Sequence, residues 1–149
     1  MCIIVDANRM GGFLMQPYGE GVSPIHKWLN KKNNPSHLVY STDGSFCREV
    51  GQNARQKLAS YVQSGRASVI PAKCFENLEK KLLGNSKVQS NDHHILALAQ
   101  YSGTRILFTG DHDLMRDFRN SELINRPRGK VYSDQCQAKL LDRSACRRR

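Results

Sequence analysis

The run Cys2-Ile-Ile-Val5 is apolar at every position and closes on a carboxylate, Asp6. A strand with one wet face alternates apolar and polar residues. A run without alternation is buried on both faces, as strands are in parallel sheets covered by helices. Leu38-Val39-Tyr40, Ala67 to Ile70, Ile106 to Phe108 and Lys130-Val131-Tyr132 repeat the short strand pattern, the last as an edge strand. Helical patterns separate them. Ile25, Trp28 and Leu29 follow Ser23-Pro24, read as N-cap and first helical residue, and stop at Asn33-Asn34-Pro35. Phe46, Val50, Ala54, Leu58, Tyr61 and Val62 follow the turn at Asp43-Gly-Ser45 and end at Gly65. Pro71 opens a helix through Phe75, Leu78 and Leu82 to Gly84. Ser90 caps a helix that Asp92 opens and Gly103 closes, and a short helix follows Asp113 through Leu114 and Phe118. Gly11-Gly12 reads as a loop or flexible approach. Alternating strands and helices predict an α/β fold: a central, mostly parallel sheet of four or five strands, flanked by helices in three layers. One domain spans residues 1 to 132, and residues 133 to 149 form a polar, basic tail whose end, Arg143 to Arg149, is expected to fray.

Charge narrows the function. Lys plus Arg total 23 against 13 for Asp plus Glu, a formal net charge of +10. Yet acids recur where strands end: Asp6 after the first run, Asp111 and Asp113 after Ile106 to Phe108. Asp92 stands in a first helical turn, and Glu49 follows the second strand. In a parallel sheet the ends carrying Asp6 and Asp111 share one edge, where such folds place their sites. A cluster of ionised carboxylates wants a divalent cation, and a basic body attracts a polyanion. Each acid also has a plainer role. Asp6 and Asp111 suit turns, Asp92 suits a helix dipole, Asp113 suits an N-cap, and Glu49 suits a solvated helix face. His93, His94 and His112 flank the acids, as phosphate or metal contacts or as exposed residues beside caps. Trp28 and Tyr101 read as core or helix-face aromatics. Lys27, Lys31, Lys32, Arg48, Arg55, Lys57 and Arg66 are candidate phosphate contacts, or equally a solvated basic face.

No apolar run approaches the roughly 20 residues of a membrane span, and the chain opens directly on a strand pattern without a signal peptide. The five cysteines are scattered with no CxxC pair, so neither a zinc site nor a disulfide framework is expected. Reduced thiols in a cytoplasm fit best.

Val5-Asp6-Ala-Asn8, Gly44-x-x-x-x-Glu49-Val50, Ser90-Asn91-Asp92-x-x-Ile95-x-Ala97-x-Ala99 and Thr109-x-Asp111-x-Asp113-Leu114 together resemble a PIN-domain nuclease. Each motif is weak alone; all of them in order, over residues 1 to 132, are specific. The resemblance implies a parallel sheet between helices and metal-dependent cutting of RNA, sometimes DNA. It implies Asp6, Glu49, Asp92 and Asp111 as catalytic ligands of Mg2+ or Mn2+, with Asp113 completing or supporting the site, and Asn8 and Thr109 as small polar supports. A lone small domain of this type is often the toxin of a toxin–antitoxin pair, which adds an antitoxin protein as partner and leaves a homo-oligomer open. Hydrolysis by water would leave a 5′-phosphate, with one or two ions sharing the task. The stretch Met10 to His37 matches no family pattern. Two other readings stand beside this one: an RNA-binding module that keeps the fold without turnover, and a metal-free ribonuclease using the histidines and the RNA 2′-hydroxyl.

Overall fold

A computed structural model describes residues 2–31, 36–41, 49–133 and 137–142. The expected helix positions Asp43 to Phe46, the contact candidates Lys32 and Arg48, and the basic end Arg143 to Arg149 lie outside the described residues. Five strands form one parallel sheet: β1 (Cys2–Val5), β2 (His37–Tyr40), β3 (Ala67–Val69), β4 (Ile106–Phe108) and β5 (Lys130–Tyr132). Their order across the sheet is β3-β2-β1-β4-β5, and every pairing is parallel. The chain steps outward from β1 to β3, then returns to lay β4 on the other side of β1. The seam between β1 and β4 is thus the point where the winding reverses.

Helices cover both faces. α1 (Ala7–Leu14), α2 (Val22–Leu29) and α3 (Gln52–Gln63) pack against one, with Ile3, Val5, Leu38, Tyr40, Phe108 and Tyr132 pointing toward them. α4 (Glu76–Leu83), α5 (His93–Ser102) and α6 (His112–Arg119) cover the other, against Cys2, Ile4, Val39, Leu107 and Val131. Alternate residues of β1 and β4 feed opposite cores, which is why those two runs carry no polar residue. α5 is buried from Ile95 through Ala99 because it is clamped between the sheet and α4. Beyond β5 the chain still serves the core: a short α7 (Lys139–Asp142) brings Leu141 to 2% exposure with Leu140 packed beside it. No described helix is long and apolar enough to cross a membrane.

Three local expectations are corrected. Gly11 and Gly12 lie inside α1 rather than in a loop. Gly12 meets Gly19 backbone to backbone, where a Cβ would stand 3.3 Å from Gly19, and Gly19 donates its N–H to the Gly12 carbonyl at 2.8 Å. Gly12 serves a close approach, not a turn, while a Cβ at Gly11 would meet nothing within 4 Å. α2 starts earlier than Ser23-Pro24 suggests, with Gly21 as N-cap at φ 78°. The Tyr132 hydroxyl donates to the Gly21 carbonyl at 2.6 Å and fixes that start from across the fold. Ser90 does not cap α5; Asp92 occupies the N-cap. The thiols also differ from the reduced set expected. Cys2 is disulfide-bonded, while Cys74 is free and exposed. Spacing along a chain says little about which thiols a fold brings within bonding reach.

Gly129 offers a check on the packing of α6 against the approach to β5. A Cβ there would lie 2.1 Å from the Phe118 carbonyl oxygen and 2.7 Å from its ring. Gly129→Ala should therefore destabilise by about 3 kcal/mol, read as a lower urea midpoint. An unchanged midpoint would mean the segment before β5 is free to shift.

Candidate functional site

Asp6 leaves the carboxyl end of β1 and is only 2% exposed. Its backbone N–H continues the pairing to the Phe108 carbonyl at 2.9 Å, so its position is set by the seam itself. The Thr109 hydroxyl donates to Asp6 Oδ2 at 2.7 Å and accepts from the Asp111 N–H at 3.0 Å. One buried side chain thus registers the acid after β1 against the acid after β4. Asn8 Oδ1 accepts from the Gly110 N–H at 3.3 Å and ties the same two turns. Thr109 and Asn8 thus each link the turn after β1 to the turn after β4.

Asp111 is the N-cap of α6. Its Oδ1 accepts from the N–H groups of Asp113 and Leu114 at 2.9 and 3.3 Å. Asp113 is exposed in the first turn of that helix, so the cap role considered for Asp113 belongs to Asp111. Asp92 is the half-buried N-cap of α5, and its side chain makes no capping bond. Its carboxyl is pushed up from 3.8 to about 6, first by burial and then by the charges of Asp6, Asp111 and Glu49, with a hydrogen bond to the Asp111 side chain acting in the same direction. Burial and like charge both penalise ionisation. Four acids far apart in sequence therefore act at one place, the carboxyl edge of the sheet. Glu49 is exposed yet belongs to that set, whereas Asp113 is not among the charges acting on Asp92. No group of three or more His, Cys, Asp or Glu among the described residues forms a ready-made cation cage. The donors are carboxylate oxygens, which suits a hard divalent ion that keeps part of its water shell.

Of the histidines, His94 lies closest to this charge. Burial holds it below the usual imidazole range against the pull of Glu49, Glu79 and Asp6, and its Nε2 is buried without a hydrogen-bond partner. His93 Nδ1 bonds locally to the Asn91 carbonyl, and His112 is exposed. Trp28 is buried, and Tyr101 lies on a helix face tilted against Phe75. Lys27, Lys31, Arg55, Lys57 and Arg66 are all exposed, but they are not brought to the acids as a group. Arg66 precedes β3, at the opposite edge of the sheet, and shares a cleft there with Lys57, Tyr18 and Tyr61.

Two residues escape sequence reasoning. Arg9, in the first turn of α1, lays its guanidinium against Gly110, where a Cβ would meet it at 3.0 Å, and sits 5.7 Å from the Phe108 ring centre. It is a cation standing beside the seam. Asp117, on α6, is 2% exposed. Its carboxylate accepts from the Gln89 N–H at 3.0 and 3.1 Å and from the Ser90 N–H at 2.8 Å. It binds the segment entering Asp92 to the helix that Asp111 caps. No spacing in the chain marks Asp117, because its partners lie 27 and 28 positions earlier.

The raised Asp92 carboxyl fixes a sign. Its folded-state value lies above its unfolded one, so the folded protein holds that proton more tightly. The stability it adds is present below about pH 4 and is lost as pH rises through about 6. Asp92→Asn removes no cap bond. In EDTA it should be more stable than wild type at pH 7.5, by on the order of 1 kcal/mol after allowing for solvent screening, and the gap should close toward pH 4. Unfolding curves across that range test it, and a gap independent of pH would refute the assignment. Asp117→Ala strands the Gln89 and Ser90 N–H groups and should cost about 3 kcal/mol, with Asp117→Asn milder. Equal midpoints for Asp117→Ala and wild type would show that the turn has other support.

No family model, curated protein or solved structure matches this chain.

Proposed function

We propose that this chain is a metal-dependent endoribonuclease of the PIN-domain kind. The observation that carries the reading is the convergence on Asp92 of the charges of Asp6, Asp111 and Glu49 at the carboxyl edge of a parallel sheet. Four carboxylates in one place destabilise a protein unless a cation or a proton offsets them. Asp6, Asp92 and Asp111, with Glu49, are the residues that would hold Mg2+ or Mn2+, and Asp113 stands at the rim. When bound, such an ion supplies charge to the phosphoryl oxygens and lowers the pKa of a water for attack on phosphorus.

The chain's own groups do the positioning. Thr109 holds one oxygen of Asp6 and the backbone of Asp111, so neither acid is free to turn away. Asp92 must lose its proton to act as a ligand, and its partial burial makes a cation the natural replacement. Arg9 beside Gly110 supplies a cation at the rim of the same edge. Water as nucleophile calls for no cysteine or serine, and the exposed thiol of Cys74 lies on the segment after β3, away from the seam. The net charge of +10 favours a polyanionic substrate. The narrower form of the reading, the toxin of a toxin–antitoxin pair with an antitoxin as partner, rests on the domain's size and on the resemblance alone.

Mixed-sequence RNA incubated with Mn2+, Mg2+ or EDTA decides between the readings. Cleavage should require the divalent ion, leave 5′-phosphate ends, and disappear in Asp6→Asn, Asp92→Asn and Asp111→Asn. Thr109→Val, which leaves every acid in place, should lower turnover roughly tenfold to a hundredfold by loosening Asp6. Ends carrying 2′,3′-cyclic phosphate, or full activity in EDTA, would replace this reading with a histidine-dependent one. Binding without cleavage under any metal would leave an RNA-binding module.

A further inference from the structure

A cleft of about 550 Å³ opens beside α6, lined by Lys87, Gln89, His112, Arg116, Arg119 and Arg128 among others. It begins at His112, the residue after Asp111, and follows the helix to its last turn. Eight residues of helix span about 12 Å. Arg119 and Arg128 also line a second cleft, of about 320 Å³, which continues to Lys130 on the edge strand β5. Five cations (Lys87, Arg116, Arg119, Arg128 and Lys130) thus mark a path that starts at the acidic edge and runs away from it.

The negative groups along this path are already engaged. Asp117 accepts three contacts from the Gln89 and Ser90 N–H groups, and Glu122 pairs with Lys87 at 2.7 Å. Arg116 is oriented by a 2.5 Å bond to Gln89 Oε1, and Arg128 by a 2.8 Å bond from its Nε to the Arg119 carbonyl. The Arg119 guanidinium has no hydrogen-bond or ion-pair partner among the described residues. The Lys130 ammonium likewise has none, so beside the paired Lys87 and the oriented Arg116 and Arg128 two cations stand unpartnered, a row complementary to a chain of regularly spaced anions rather than to a single one.

We infer that this track seats the phosphate backbone of the single-stranded nucleic acid flanking the scissile bond. The identity of the polymer rests on the nuclease reading; the track itself does not. Because the contacts are to phosphate, the track adds affinity and direction, not base preference. The polymer would leave the acids along α6, not over Lys57 and Arg66 at the opposite edge.

The test uses the full chain carrying Asp92→Asn and a fluorescent single-stranded RNA of mixed sequence, titrated across salt concentrations. Adding Arg119→Glu and Lys130→Glu should weaken binding tenfold or more at low salt. The log–log salt slope should flatten by about 1.4, because each lost phosphate contact removes roughly 0.7 for a single strand. Arg119→Gln with Lys130→Gln should shift both quantities in the same direction by less, and serves if the double reversal fails to fold. Lys80→Glu with Lys81→Glu, an equal charge change on α4, should leave the slope unchanged. Equal losses from the α4 pair and the α6 pair would overturn the track, since only overall charge would then matter. Competition by a glutamate-rich peptide as strong as by unlabelled RNA would overturn its assignment to nucleic acid. Wild type that binds through the track yet cuts nothing with Mg2+ or Mn2+ would keep this inference and remove the nuclease reading. Wild type that cuts, with binding indifferent to Arg119 and Lys130, would do the reverse.

Discussion

The hydrogen bond from Thr109 to Asp6 joins residues 103 positions apart and holds the acidic edge in register. It exists because β1 and β4 lie side by side, paired from Ile4–Leu107 to Val5–Phe108. Parallel strands end together, so the residues that follow them emerge at one edge. Asp6 and Asp111 are therefore neighbours by topology, before any side chain chooses a rotamer. Thr109 then removes the remaining freedom. Burying a carboxylate and placing like charges beside it both oppose folding, and the opposition is visible at Asp92, whose carboxyl is raised to about 6, first by burial and then by its acidic neighbours. The buried strand and helix positions around the seam, among them Ile4, Val5, Leu107, Phe108, Leu114 and Phe118, offset that opposition.

The helices bring the remaining acids in by their starts. Asp92 and Asp111 are both N-caps, at the ends of α5 and α6 that face the carboxyl edge. A helix N-terminus favours negative charge, so each acid is stabilised locally by the dipole while repelled by its neighbours. Asp117 sits under this arrangement and uses both oxygens on the backbone of Gln89 and Ser90. Two elements that carry acids are thereby tied to each other through a third acid that faces neither solvent nor the cluster. Placement of the four charges is a property of backbone registration, and the side chains inherit it.

Much of this was legible in the chain. Continuous apolar runs identify β1 and β4 because both faces of those strands are covered, and the acid at the end of each run follows from parallel topology. Helix starts were less legible. Ser90 has the right residue type for a cap, but the backbone turns into α5 two residues later, where Asp117 has fixed the entering segment. Gly11 and Gly12 read as a break because glycine propensity is local, whereas both are helical and Gly12 makes a contact with Gly19 across a loop. Asp117 has the look of a solvated helix residue until its partners, 27 and 28 positions earlier, are known. The basic track is scattered over Lys87, Arg116, Arg119, Arg128 and Lys130, so no charge run announces it. The runs that did stand out, around Lys31 and Arg143, fall at the margins of the described residues or outside them.

The order in which the strands are made has a bearing on when the acidic edge can exist. β1 leaves the ribosome before the other four strands and finds β2 within about forty residues, but its other neighbour, β4, ends only at Phe108. Until then Asp6 lacks Thr109, Asp111 has not been made, and one side of β1 is an open edge. Closing that seam draws shut the longest span of chain between any two paired strands, the kind of contact that forms late. A chain interrupted before β4 has only β1, β2 and β3 to pair and has no acidic edge at all. Assembly of the charge cluster is thus reserved for the complete domain.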